Sequence, residues 1–229
     1  MQKANCMNKE LYLFIIWQNA RFMEKHIVND IKKKFELFQV YEIAWSHEAF
    51  ARNLARFYGK KLPKGCKKEK ETGAGAFLVL LVYDHHPHIV DGQNLAIVSA
   101  KHGYRQMLGK NLVHASSNEQ ETNDDLLLLF GKSIKEIEQE QASFIAKPYK
   151  HDLVGHPVWN SLDEALNMVR KLPFTKVTMH KDSFLIHSRS ADMVRRLLNA
   201  KSRFKLPGRH KYFIKIGKSH QPIYIRKVS

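Results

Sequence analysis

AFLVLLVYD, at positions 76–84, is a run of apolar side chains that ends in a single acid. An unbroken run of this kind is typical of a strand that is buried on both faces. It is far shorter than the ~20 residues that a membrane-spanning helix needs. We therefore predict that it forms a central strand of a sheet. LYLFIIW, at 11–17, has the same character and predicts a second buried strand.

Helical patterns alternate with these strands. Apolar residues spaced by four define one face of a helix, and they are Met23, Ile27, Ile31 and Phe35. QVYEIAW at 39–45 alternates like a half-buried strand. The next helix is expected to begin after a Ser46 cap and to end at Gly59, and residues 60–75 are expected to form a basic loop.

The order of elements continues in the same way up to residue 131. A short strand is expected to end at His114. Ser117 and Gln120 then have the spacing of a capping box, which predicts a helix that runs to Leu129. Strands that alternate with helices predict an α/β (α+β) sandwich in which helices cover a sheet.

Charge divides the chain near Lys147-Pro148. The whole protein carries a net charge of +16; residues 147–229 have 18 Lys and Arg against 5 Asp and Glu, a balance of +13. We therefore predict two domains, 1–146 and a basic α/β domain at 147–229. In the second we expect a helix at 161–172 capped by Ser161, one strand at 176–188, a helix at 191–200 and a terminal hairpin.

The basic excess favours a polyanionic partner, which could be nucleic acid, a nucleotide or an anionic membrane surface. The residues that we predict to contact such a partner are Arg195, Arg196, Arg203, Lys205, Arg209 and Lys211. Aromatic residues interleave with them, as in proteins that stack bases and grip phosphates. The alternative is an ordinary solvated strand pattern with aromatics inward and lysines outward.

Several other classes of protein are not indicated. The chain has only Cys6 and Cys66, too few for a disulfide framework or a cysteine-based metal site. The histidines of DHHPH at 84–88 alternate in direction along a strand, so we expect no metal site there. No membrane span or cleavable signal is expected, and we predict a cytoplasmic protein.

The segment LGKNLVHASS, at 108–117, resembles a segment of a known protein family. This segment resembles the active-site segment of nucleoside diphosphate kinases, in which Gly-Arg-Asn, two aliphatic residues, His, Gly and Ser precede a capped helix. IVNDIKKKFELFQV at 27–40 and TGAGAFLVLLVY at 72–83 extend the resemblance, which covers residues 10–131. The resemblance implies a ferredoxin-like fold and, as partner, a nucleotide or another phosphorylated small molecule.

The resemblance also implies roles for individual residues. His114 stands where the family's histidine accepts the γ-phosphoryl group, and Asp125 stands where an acid orients that imidazole. The cofactor would be ATP or another nucleoside triphosphate with Mg²⁺, and the family's quaternary structure implies a homo-oligomer. The residues expected at the phosphates are Lys101, Arg105, Lys110 and Asn111.

The chain departs from the family pattern at several positions. The lysine that follows the family's first strand is missing, although Arg21 lies nearby, and residues 59–75 contain no aromatic residue to clamp a base. Ala115 replaces a glycine. Both phosphoryl transfer through His114 and binding of a nucleotide-like anion without turnover remain open.

Two alternatives to a phosphotransferase remain open as well. One is a non-enzymatic basic module that binds nucleic acid or another polyanion. The other is an accessory protein of bacterial surface-polysaccharide biosynthesis. Residues 150–229 weakly resemble a degenerate nucleotidyltransferase-type domain, in which Asp182 is present but Phe184 and Tyr224 stand where further acids are expected. Without those carboxylates, two-metal catalysis is excluded.

Overall fold

The computed structural model describes residues 9–59, 65–180, 183–206 and 209–228. They divide into two compact units. Unit 1 contains 9–52, 65–125 and 134–152, and unit 2 contains 53–59, 126–133 and the described residues from 153 onward. The predicted division at 146/147 stays a prediction. Among the described residues, every helix is too short or too polar to cross a lipid bilayer.

The first part of the chain alternates strands and helices. In chain order the elements are β1 (Glu10–Ile16), α1 (Glu24–Lys34), β2 (Glu36–Ile43), α2 (Phe50–Phe57), α3 (Lys67–Thr72), β3 (Phe77–Asp84), β4 (Ile89–Val90), β5 (Gln93–Asn94), α4 (Leu95–Leu108), β6 (Val113–Ala115), α5 (Glu119–Phe130), α6 (Ile134–Glu138) and β7 (Ser143–Tyr149). A 3₁₀ turn, Gln18–Met23, precedes α1.

The central strand of unit 1 is β3, as its apolar run predicts. The sheet has the order β6-β1-β3-β2-β7, and every residue of β3 is buried. β3 is antiparallel to both β1 and β2, and β6 is antiparallel to β1. β7 is parallel to β2. The α+β class is therefore confirmed.

Two helices cover one face of this sheet. Ile27 and Ile31 of α1, and Ile97 and Tyr104 of α4, belong to one apolar cluster with side chains from β1, β2, β3 and β6. Their spacing along each helix produces the single apolar stripe that a sheet face can bury. If β6 is counted as the fourth main strand, the order is fourth, first, third, second, with one helix before the second strand and one before the fourth.

Three local predictions in unit 1 are wrong. Ser46 does not cap α2, because its hydroxyl bonds to Asp152 and the helix begins at Phe50. The predicted loop at 60–75 contains α3, and residues 60–64 lie outside the described residues. Asn118, rather than Ser117, accepts the backbone N–H of Glu121 at the start of α5. The errors at Ser46 and Ser117 each concern a polar side chain for which several hydrogen-bond partners compete.

Unit 2 is built on a second five-stranded sheet. Its elements are α7 (Leu162–Arg170), β8 (Thr175–His180), β9 (Ser183–Ser188), α8 (Ala191–Leu197), β10 (Lys201–Leu206), β11 (Arg209–Ile216) and β12 (Ser219–Lys227). The strand order is β10-β11-β12-β9-β8. Ser161 caps α7 and the terminal hairpin is present, as predicted. The single strand predicted at 176–188 is instead the antiparallel pair β8–β9.

Two arginines of unit 2 cap each other's helices. Arg56, on α2, donates to the carbonyls of Arg196 and Leu197 at the end of α8. Arg196 donates in return to the carbonyls of Arg56 and Phe57 at the end of α2. Burial, followed by the charge of Arg196, lowers the pKa of Arg56 to about 9. Both guanidinium groups satisfy terminal carbonyls at the negative ends of helix dipoles.

Unit 1 should lose stability steeply in alkali. Burial raises the pKa of Tyr83 to about 12, helped by Glu138, and burial likewise raises the pKa of Tyr12, Tyr41 and Tyr104. Above pH 10 these tyrosines ionise in the unfolded chain while the folded chain keeps their protons, so the free energy of unfolding should fall as pH rises.

Denaturant titrations between pH 9 and 12 measure this dependence. Tyr104→Phe should reduce the slope of unfolding free energy against pH, because one buried phenol is removed from the core. Tyr224→Phe, on a half-buried side chain of unit 2, is the matched control. An unchanged slope in Tyr104→Phe would contradict the prediction.

Candidate functional site

His114 is positioned by an antiparallel pair of strands. It is the middle residue of β6 and lies opposite Ile15 of β1, with Val113 and Ala115 opposite Ile16 and Phe14. All three residues of β6 are buried, and about 10% of the side-chain surface of His114 is accessible to solvent. The strand predicted to end at His114 therefore exists, and it continues for one residue beyond.

Ser116 connects this strand to the start of α5. Its hydroxyl oxygen accepts the backbone N–H of Leu13 at 2.9 Å, and its own N–H bonds to the carbonyl of Leu13. The same hydroxyl lies 2.8 Å from that of Thr122 on α5. Thr122 and Asp125 are three residues apart and so share one side of the helix. This contact brings Asp125 towards the strand that carries His114.

The imidazole of His114 is held by Asp125. Nε2 of His114 lies 2.8 Å from Oδ2 of Asp125, and both side chains are nearly inaccessible to solvent. A carboxylate oxygen only accepts, so we assign the proton of the pair to Nε2. In the neutral ring that tautomer places the nucleophilic lone pair on Nδ1. The juxtaposition that the resemblance implied, between residues eleven apart in sequence, is present.

A second carboxylate joins this pair, and the sequence reasoning missed it. Glu121 accepts the N–H and the hydroxyl of Ser117 at 2.6 and 2.8 Å. One ligand atom from each of His114, Glu121 and Asp125 lies within 4.8 Å of the others. A histidine with two carboxylates is a donor set suited to a transition-metal ion such as zinc. The sequence did contain a sign of this arrangement, because Glu121 lies one helical turn before Asp125 and therefore on the same side of α5.

Two cations from α4 flank β6. Lys101 donates to the carbonyl of Ala115 at 3.2 Å, and Arg105 donates to that of Val113 at 2.8 Å. Burial lowers the pKa of Lys101, while the charges of Glu121 and Asp125 act in the opposite direction. The carbonyl contacts place both predicted cations beside the two residues that neighbour His114.

The remaining predicted phosphate contacts, Lys110 and Asn111, are exposed. The carbonyl of Asn111 accepts from Lys68 at 2.8 Å, and the side chain of Asn111 is exposed. Lys110 is exposed in the turn before β6, and its ammonium group makes no hydrogen bond or ion pair with any described residue. Arg21 is engaged by Glu24 and Glu42. None of these three side chains forms a hydrogen bond or an ion pair with the imidazole of His114.

The predicted polyanion contacts separate into distinct groups. Arg195 pairs with Asp192 on α8, and Arg196 forms the helix cap described above. Arg209 and Lys211 lie on β11. Arg203 and Lys205 belong to β10, but their side chains lie outside the described residues, as does Asp182. The histidines at 84–88 do not form a metal-binding group among the described residues, and His85 pairs with Glu36.

No family model and no curated protein matches this chain. Among solved structures, the chain is similar to an orthorhombic crystal form of the Aquifex aeolicus nucleoside diphosphate kinase. The two are 16% identical over 56% of this chain and 98% of that one, with a TM-score of 0.38. A score of this size does not establish a common fold. The architecture and the site described above rest on the geometry of this chain alone.

Proposed function

We propose that the protein binds a nucleoside triphosphate or a related phosphate ester beside His114 and transfers its phosphoryl group through a phosphohistidine. The observation that carries the proposal is the buried pair of His114 and Asp125, with Nε2 and Oδ2 2.8 Å apart. A carboxylate that holds the proton on one ring nitrogen leaves the nucleophilic lone pair on the other.

The proposed reaction has two balanced steps. Nδ1 of His114 attacks the terminal phosphorus, the P–O bond to the leaving phosphate breaks, and a nucleoside diphosphate departs. Nε2 keeps its proton, so the phosphorylated ring is cationic and the carboxylate of Asp125 stabilises it. In the second step an acceptor oxygen attacks the phosphorus, the P–N bond breaks, and neutral imidazole returns. The acceptor class is a nucleoside diphosphate or another phosphate ester.

Lys101 and Arg105 are proposed to stabilise the transferred phosphoryl oxygens. Phosphoryl transfer depends chiefly on positioning and on cations around those oxygens. Both side chains are anchored to carbonyls on either side of His114. Lys110 and Asn111 are proposed to contact the outer phosphates from the exposed turn. Mg²⁺ enters this proposal as part of the nucleotide substrate, because Asp125 and Glu121 are already engaged by His114 and Ser117.

The accompanying fold proposal is that unit 1 is a ferredoxin-like sandwich of the nucleoside diphosphate kinase type. The support is the strand order fourth, first, third, second, with both α1 and α4 on one face. β7 extends that sheet beyond the four main strands. In this arrangement His114 lies on an edge strand.

The test is transfer of labelled γ-phosphate from Mg-ATP to purified protein that has been treated with EDTA and desalted. EDTA removes any transition metal bound by His114, Glu121 and Asp125. A bound metal would coordinate the imidazole and compete with its phosphorylation. We expect label that is stable in alkali, lost in acid, and transferred to added nucleoside diphosphates. Alkali-labile label would indicate a serine or threonine ester and would contradict the proposal, as would an unlabelled protein that is folded.

A further inference from the structure

We infer that the face of the unit 2 sheet that is turned away from α8 binds single-stranded nucleic acid. This inference concerns residues remote in sequence from His114 and does not depend on the phosphotransfer proposed above. It is based on the side chains that the strand register places on each face of β11 and β12.

One face of this sheet is the apolar core of the unit. Ile223 and Ile225 of β12, Ile214 of β11 and Ile186 of β9 are buried. α8 contacts both β9 and β12. Burial raises the pKa of Tyr212, and Arg195 and Asp192 on α8 are the charged groups that act on it. Because Tyr212 lies opposite Ile223, α8 covers this face.

The other face carries aromatic and basic side chains together. Lys211 lies opposite Tyr224, and Phe213 lies opposite Pro222, so all four share the face turned away from α8. Arg209 lies two residues before Lys211, and Arg226 lies two residues after Tyr224, so both arginines are on the same face. Lys211, Phe213 and Tyr224 are half-buried, and Arg226 is exposed. The ordinary pattern of aromatics inward and lysines outward does not hold here.

The cations lie beside the aromatic rings. The guanidinium carbon of Arg209 is 4.8 Å from the centre of the Tyr224 ring. Nζ of Lys211 is 5.4 Å from the centre of Phe213 and 5.9 Å from that of Tyr224. A nucleotide can satisfy both groups at once, since its phosphate binds the cation and its base stacks on the ring.

The strands of this sheet are basic. Within the described strands β8 to β12 there is no Asp or Glu. By register and alternation, Lys176, Lys201 and Lys215 also lie on the Tyr224 face. The positive charge of this face therefore favours a polyanion. The aromatic rings of Phe213 and Tyr224 determine which kind of polyanion binds. Their faces can stack only with bases that are not already paired and stacked in a duplex, which favours a single strand.

Fluorescence anisotropy with the full-length protein and a labelled twelve-nucleotide oligothymidylate tests the inference. We expect binding that weakens with salt, and at least about tenfold weaker binding of a duplex of equal length. Tyr224→Leu and Phe213→Leu should each lower the affinity about tenfold, within the range for loss of one base stack. Tyr212→Leu makes the same change on the covered face of β11 and should leave the affinity within about twofold.

Charge variants provide a second readout. The double variant Arg209→Gln/Lys211→Gln should reduce the slope of log affinity against log salt concentration by about 1.4, since each phosphate contact contributes roughly 0.7 for single strands. Arg170→Gln, at an exposed arginine on α7 that belongs to no strand of this sheet, is the matched control and should leave the slope unchanged. His114→Ala should bind like the wild type, which separates this inference from the proposed phosphotransfer.

Three results would overturn the inference. The first is no binding at low salt by folded protein. The second is equal affinity for duplex and single strand with no effect of Tyr224→Leu, which would indicate a general polyanion surface. The third is binding to vesicles of anionic phospholipid that competes fully with the oligonucleotide and does not depend on Tyr224.

Discussion

His114→Ala should reduce acid-labile labelling by γ-phosphate to background, a loss of at least about a thousandfold. The substitution removes the only atom that forms the P–N bond in the proposed reaction. It leaves the cations Lys101 and Arg105 in place, because they are anchored to backbone carbonyls rather than to the imidazole. Nucleotide binding measured by calorimetry should therefore persist while labelling disappears.

The control for this variant is His102→Ala. His102 is an exposed histidine on α4, so its removal tests whether any accessible imidazole accepts label. We expect wild-type labelling in His102→Ala. Thermal unfolding of both variants establishes that His114→Ala is folded. Persistent acid-labile label in His114→Ala would place the phosphorylated residue elsewhere.

Asp125→Asn should lower the rate of labelling by about a hundredfold to ten-thousandfold, in line with replacement of the orienting acid in a histidine-dependent hydrolase. The amide can donate a hydrogen bond to Nε2 of His114, which favours the tautomer with its proton on Nδ1. The lone pair needed at Nδ1 is then lost, and the carboxylate that balances the phosphorylated ring is removed. Binding of nucleotide should change far less than the labelling rate.

The orienting role has a signature that a merely structural role lacks. Nitrogen chemical shifts of His114 should report a proton on Nε2 in the wild type and on Nδ1 in Asp125→Asn. Asp124→Asn, one position earlier on α5, removes an equal charge from a side chain that bonds to Gln120, and should keep both the tautomer and the rate. An unchanged tautomer in Asp125→Asn would show that Asp125 does not orient the ring.

Local patterns in the sequence predicted most elements of the fold. The apolar run at 76–84 indicated the central strand β3, and the four-residue spacing around Ile27 and Ile31 indicated α1. Such patterns are readable because the period of side-chain burial is a local property of a helix or a strand. The errors at Ser46 and Ser117 concern polar side chains whose partners are set by distant residues or by a competing cap.

The site was predictable to the same extent. The family resemblance pointed to His114 and Asp125, and a hydrogen bond joins their side chains. Glu121 was missed because its place beside them depends on how α5 docks through Ser116 and Thr122. Lys110 is exposed in the turn before β6, and its contact with phosphate stays a prediction.

By itself, the sequence determined where buried strands and amphipathic helices form and that the basic charge is concentrated after residue 147. Tertiary structure alone decided that Lys211, Phe213 and Tyr224 share one face of the sheet, and that 176–188 folds back on itself as β8 and β9. The physical reason is that the face a strand residue occupies depends on pairing register. A shift of one residue exchanges the two faces, and residues distant in sequence fix that register.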